Sequence, residues 1–417
     1  MTTAADHENA SVLEKPVAAA RRRALTPFSS TLAKDDPALY GAWKDLFEAD
    51  AEAYTLQHPD WVLAESHTEG SCLLLQEWSG DRLAALGVLL PKTLSTRKVS
   101  GPGLSWTLRG LRLAGNRFLQ REKNDQQLTQ LLDRAREQVI ATRSDFLLIE
   151  DLERNAALAR ACEAAEADGF RVFAPKGWQP RLKIDLPKTA DEYWKKFSGK
   201  TRSTFRRKLK KFGTTRLQKV SRADEVAGFL AHAHEISKQT WQTRQLGLRV
   251  RNEGGELVQL EAAARAGLLR SYLWFVNDLP AAFLIGNQAH GVFNYEEVGY
   301  ATAFAKNSPG QMMLLQVLDE LFSVDTPHLF DFGGGDAEYK RMFSNHQSES
   351  GTIWLVPPGV RLRLILGYLK TYAKATQEAR RRIAGSPWAM RLRQRVRYGG
   401  AKVGGAAETA EAEEKEG

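Results

Sequence analysis

Ser308-Pro309-Gly310 precedes an apolar helical run from Gln311 to Phe322. Serine can cap a helix, proline suits its first position, and glycine lets a ligand reach the backbone. Free N–H groups at such a start, with the positive end of the helix dipole, form an anion site. The turn therefore reads as the holder of the diphosphate of a nucleotide-like donor. Lys306, Ser308, Gly310, Gln311 and Met312 are the expected contacts. An ordinary capped helix start is the plainer reading of the same residues.

Proton chemistry has its own candidates. Asn294-Tyr295-Glu296-Glu297 lies in a strand pattern. Neighbouring strand residues point to opposite faces, so only one of Glu296 and Glu297 can face a cleft as a general base. Tyr300 can donate to an oxyanion or a leaving thiolate, or serve as a core aromatic. Asp331 ends a buried strand run and Gly333-Gly334-Gly335 follows. Asp336 fits the N-cap of a short helix carrying Tyr339 and Lys340, and Lys340 can pair with Asp331 or bind phosphate. Between Lys195 and Lys211 stand nine Lys/Arg and no acid. Phe205, Leu209 and Phe212 pack inward there, leaving Arg202 and Arg206 for a phosphate-bearing ligand or for solvent. Trp241, with Gln239 and Arg244, is a candidate for the acceptor pocket, and Tyr339 for substrate binding. His232 and His234 are two apart in a helix and diverge, so no metal site is expected.

The elements that carry these residues alternate. Asp36–Tyr54 reads as a helix, and Ser71–Trp78 with Arg82–Leu90 as a hairpin around Ser79-Gly80-Asp81. Asp125–Thr142 is helical, Asp145–Glu150 a buried strand, and Asn155–Asp168 a helix stopped by Gly169. Strands at Phe170–Phe173 and Arg181–Leu186 follow. A second series of two helices, a strand, further helices, three strands, helix, strand, helix and strand runs to Val356. The halves share an order of elements without a sequence repeat.

Residues 1–33 are small, polar and unpatterned, and 404–417 are acidic, so both read as disordered tails. Units at 34–175 and 176–358 and a basic amphipathic extension at 359–403 complete the division. In that extension Leu364, Ile365, Tyr368, Leu369 and Tyr372 form one helical stripe. Net charge is +9 and the pI about 9.4. Arg361–Lys402 holds twelve Lys/Arg and one acid, so the cations gather in two segments. Phosphates, nucleic acid or an anionic lipid surface are the partners this implies. No secretory leader or membrane-spanning run is evident in the sequence, and Cys72 and Cys162 match no metal spacing, so a cytoplasmic protein is expected, with peripheral contact to the inner membrane face open.

Residues 190–345 resemble the BioF2-like (CelD/BcsL-type) acetyltransferase domain of the GNAT superfamily. Four features carry the resemblance: Tyr193-Trp194 before Ser198-Gly199-Lys200-Thr201-Arg202-Ser203; the strand pair around Leu279-Pro280-Ala281-Ala282-Phe283; Ser308-Pro309-Gly310; and Asp331-Phe332-Gly333 with Gly335-Asp336, Tyr339 and Lys340. The loop Ala305-Lys306-Asn307-Ser308-Pro309-Gly310 has one glycine where that family usually has two. The resemblance extends to the Fem-type transferases, which are tandem GNAT folds. It implies an α/β fold of mixed sheets with helices on both faces, and a GNAT-like unit in each half, with the donor held by the second.

Implied with it is direct, metal-free transfer from acetyl-CoA or another acyl-CoA to an amine or hydroxyl, in polysaccharide or cell-envelope synthesis. An aminoacyl-tRNA-dependent transfer of the Fem kind and a non-catalytic adaptor on a membrane surface are the alternatives.

Overall fold

In a computed structural model of the chain, residues 26–28, 36–69, 72–100, 103–239 and 250–384 are described. The first half runs β1 (Thr26–Phe28), α1 (Pro37–Ala49), α2 (Pro59–Glu69), β2 (Cys72–Ser79), β3 (Arg82–Ser95), α3 (Arg97–Ser100), β4 (Thr107–Leu113), β5 (Leu119–Gln120), α4 (Asp125–Ala141), β6 (Leu147–Glu153), α5 (Ala157–Ala164) and β7 (Arg171–Phe173). The second runs β8 (Gln179–Asp185), α6 (Ala190–Trp194), α7 (Gly199–Lys210), β9 (Thr215–Val220), α8 (Ala223–Gln239) and α9 (Gly255–Arg265). It continues through β10 (Ser271–Val276), β11 (Leu279–Ala289), β12 (Val292–Tyr300), α10 (Pro309–Ser323), β13 (Leu329–Gly334), α11 (Glu338–Phe343), β14 (His346–Val356) and α12 (Val360–Ala384).

Local chemistry sets several of these boundaries. Asp36 Oδ1 accepts from Leu39 N at 2.9 Å, and Asn124 Oδ1 from Gln127 N at 3.0 Å, so each helix start satisfies one orphan donor. Ser198 Oγ does the same for Thr201 N at 3.2 Å. Gly169, with φ +84°, ends the turn after α5 as only glycine does cheaply.

All strands join one mixed sheet. Its order is β1-β2-β3-β4-β6-β14-β8-β13-β12-β11-β10-β9, with β5 beside β3 and β7 beside β14. Each half has one parallel pair, β4–β6 and β12–β13, across a helix connection. The halves interlock where they meet. β14, from the end of the second half, lies between β6 and β8 and also pairs with β7.

Strand alternation divides the core by sheet face. Tyr272, Trp274 and Val276 of β10 pack under α7 and α10 with Phe205, Met312 and Leu318. Leu273 and Phe275 face the other way, into a core holding Phe229 and Leu260 as well as Trp43, Leu46 and Phe47 of α1. That core belongs to both halves. Ile353 and Leu355 of β14 join the core of α4 and α5, while Trp354 and Val356 face α12.

The extension differs from the sequence reading. Ile365, Leu366 and Leu369 of α12 are buried against Phe146, Leu148 and Trp354. Most of the expected stripe is thus covered by protein, and Leu364 alone of its leucines faces solvent. Trp241 and Arg244 lie outside the described residues, as does the acidic tail.

Candidate functional site: a cleft where the parallel strands part

The ladder between β12 and β13 runs from Val292–Leu329 to Asn294–Asp331 and stops. β12 continues to Tyr300 against β11 alone, and β13, paired with β8 from Leu329 on, continues against β8 alone to Gly334 opposite Arg181. The strands part because β12 bulges here. Ile285 pairs with Glu297 and Gly286 with Tyr295, leaving Glu296 as the extra residue. A bulge re-aims a side chain and frees backbone groups. The edge of β12 facing the gap thus offers N–H and C=O groups to an extended ligand carrying amides.

Glu296 looks into the cleft between the halves. Tyr54, from the loop after α1, donates its hydroxyl to Glu296 Oε1. Glu296 keeps a solvent-exposed edge, yet burial among protein groups raises its carboxyl above the ordinary range. The Tyr54 bond and Arg181 oppose that rise, and Asp151 and Asp331 add to it. A carboxyl raised in this way is a better proton acceptor than an ordinary surface carboxylate. The same surroundings push the Tyr54 hydroxyl well up, so it stays protonated and donating.

Asp331 is 5% exposed. Its Oδ2 accepts from Arg181 Nε at 2.8 Å and its Oδ1 from Gly333 N at 2.8 Å. Despite the cost of burying Arg181, Asp331 and Asp151 hold its guanidinium charged. Asp151, near the end of β6, has φ +50°, a conformation costly for a non-glycine residue. Its Oδ1 is 3.8 Å from Arg181 NH1 and its side chain is 54% exposed. Tyr54 and Asp151 come from the first half, so both halves build the cleft.

Several expectations need correction. Lys340 does not pair with Asp331. Its Nζ donates to Phe332 O at 2.8 Å and Gly334 O at 3.3 Å, clamping the triglycine loop. Burial lowers its pKa, against the pull of Asp331. Asp336 does not cap α11, whose cap position is Ala337. It forms a two-bond pair with Arg341, at 2.6 and 2.8 Å. Tyr339 does reach the site, its hydroxyl 3.3 Å from that of Tyr295.

The Ser308 turn begins α10, but without a side-chain cap. Ser308 stands in the left-handed region at φ +57°. Its carbonyl accepts from Gln311 N at 3.1 Å and Met312 N at 3.2 Å. Those two N–H groups are therefore spent, and the Met312 side chain is wholly buried. Among the described residues the Gly310 N–H has no partner, and a Cβ there would meet only Tyr300 Cδ1, at 3.9 Å. Gly310 and Tyr300 are thus neighbours at the mouth of the gap. Lys306 is exposed beside them.

On α7, Phe205 stacks on Phe343 at 5.8 Å, while Arg202 and Arg206 are exposed. Neither forms an ion pair among the described residues. Phe212, just after α7, is 6.4 Å from Phe304 in the turn before Ser308, so the basic helix borders the start of α10.

Residues 199–341 match the family model described as an acetyltransferase (GNAT) domain. This part of the chain is a GNAT acetyltransferase domain. The range nearly coincides with the region read from sequence, and it makes the chain a GNAT-type transferase. No curated protein matches the chain in sequence. Among solved structures, FemX is similar with a TM-score of 0.54 at 15% identity, over 78% of this chain and 98% of that one. The C-terminal domain (DUF2156) of a protein described as a lysylphosphatidylglycerol synthetase, from Agrobacterium fabrum, gives 0.51 at 11%, over 78% and 94%. At such identities the likeness is one of fold. It reaches well beyond the GNAT domain into the first half.

Sequence reasoning missed Tyr54, Asp151 and Arg181. Arg181 alternates with Leu182, Ile184 and Leu186 in step with Lys183 and Asp185, so in sequence it reads as part of a polar strand face. Tyr54 had no signal, because only the packing of α1 brings it to β12. Among the described residues no group of three or more His, Cys, Asp or Glu could hold a metal ion.

Proposed function

We propose that the chain transfers an acyl group from an acyl-CoA thioester directly to an amine or hydroxyl acceptor. The observation that carries this reading is the parting of β12 from β13 beside the bulge at Glu296. The gap presents a backbone edge to the amide-bearing arm of such a donor. At its mouth stand the free Gly310 N–H and exposed Lys306 for the diphosphate. Glu296 takes the proton lost by the attacking nitrogen or oxygen, and Tyr300 gives one to the leaving thiolate. The acceptor enters from the side of Tyr54 and Asp151. Arg181, Asp331 and Lys340 hold the strand ends and triglycine loop in place. By resemblance, the acceptor is an intermediate of polysaccharide or cell-envelope synthesis.

Calorimetric titration with acetyl-CoA and coenzyme A tests the donor. Binding by the natural chain, lost in Gly310→Glu, is the expected result, since a carboxylate there meets the diphosphate. The open space at Gly310 lets that variant fold. No binding of either compound at millimolar concentration would sink the reading.

The unpaired cations of α7 favour one second reading, a donor that is charged tRNA. Saturable tRNA binding whose affinity falls steeply with salt, with no coenzyme A binding, would select it.

A further inference from the structure

Three of the most exposed large hydrophobic residues in the described chain lie together, far in sequence from the cleft. Val360 is 72% exposed, Leu364 70% and Leu104 64%. Val360 and Leu364 are one turn apart on α12, and Gly367 and Thr371 continue the same exposed face. Leu104 reaches that helix from another segment. Its N–H donates to Tyr368 Oη at 2.8 Å, and Trp106 packs edge-on against Tyr368 at 5.3 Å. The opposite face of α12 is already anchored in the core by Ile365, Leu366 and Leu369. The outer face is thus presented rigidly.

Cations flank it. Arg363, Lys370 and Lys374 are exposed and make no ion pair among the described residues. Arg361 lies on the other flank, paired with Asp145 at 2.6 Å. Exposed apolar side chains ringed by lysine and arginine are what an anionic bilayer recognises. The side chains enter the acyl boundary while the cations meet phosphates. No described helix is long and apolar enough to cross a membrane. A nucleic acid would use the cations but give Val360, Leu364 and Leu104 nothing to bury against.

We propose that the outer face of α12, with Leu104, seats the protein on an anionic lipid bilayer. The surface is independent of the transfer chemistry, so its failure would leave the acyl-CoA reading standing. Co-flotation of the full chain with phosphatidylcholine vesicles, with and without phosphatidylglycerol, tests it. The natural chain should float only with the anionic vesicles, and less at high salt. Val360→Glu/Leu364→Glu should lower that binding by about tenfold or more. Arg363→Glu/Lys370→Glu, which leaves the apolar residues intact, should lower it too. Unchanged melting temperatures would show both variants folded, as substitutions at exposed positions allow.

Absence of binding to anionic vesicles would overturn the proposal. So would equal binding to neutral ones. Binding that neither variant alters would place the contact elsewhere, with the arginines Arg391 to Arg397 as the next candidates, and would equally overturn it.

Discussion

At the scale of single residues, the proposed chemistry turns on the carboxyl of Glu296. Burial raises Glu296, and the Tyr54 hydroxyl bond restrains that rise. A general base works only ionised, so activity should fall as pH drops through the raised value, above the ordinary carboxylate range. Glu296→Gln should cut kcat by about 10²- to 10⁴-fold, the usual worth of a positioned base. Tyr54→Phe removes a bond that favours the ionised form. The acid limb of the rate profile should therefore move to higher pH, while the rate on its plateau is largely kept. Measured pH–rate profiles of both variants check this. An unshifted limb in Tyr54→Phe would detach Tyr54 from the reaction. Glu296 was legible in sequence as one of two strand carboxylates. That it, rather than Glu297, meets Tyr54 follows from the bulge, which depends on pairing with β11. Lys340 shows the opposite case. Its position was legible and its partner was not, because the carbonyls it binds exist only once the triglycine loop has closed.

At the scale of elements, α12 illustrates what periodicity can and cannot say. A stripe of apolar residues marks a helix face that wants cover, but not whether lipid or protein supplies it. Here the strand β14 does, through Trp354. Leu369→Ala should therefore cost about 2–5 kcal/mol in chemical denaturation, as deletion from a packed core does. Leu364→Ala, on the exposed side of the same helix, should change stability by no more than about 0.5 kcal/mol. Similar costs at both positions would contradict the packing described. The α10 start is the other instructive element. Proline and glycine marked its position correctly, but serine at the cap position accepts no bond through its side chain. Its left-handed backbone instead turns its carbonyl toward the first turn, and only the Gly310 N–H is left for an anion.

At the scale of the whole molecule, the halves are joined more closely than two beads on a string. One sheet runs through both, one core contains α1 and β10 together, and β14 closes the first half from the end of the second. A fragment ending at residue 175 would leave β6 without its neighbour β14 and Ile149 and Leu152 without the cover of Ile353 and Leu355. We expect that fragment to show no cooperative unfolding transition, and the intact chain to show one; calorimetry on each decides. The sequence by itself determined most helices and strands, since caps, glycines and alternation act within a few residues, though not β1 or α2, and it ran α1 past Ala49 to Tyr54. It also marked the start of α10 and the family. Only the tertiary structure decided the order of strands at the junction, the partners of Asp331, and the entry of Tyr54, Asp151 and Arg181 into the cleft. The contacts that define the junction, Arg181 with Asp331 and Tyr54 with Glu296, join residues more than a hundred positions apart. They come from which sheet edge β14 and β8 take, a choice set by burial across the entire molecule and not by any local pattern.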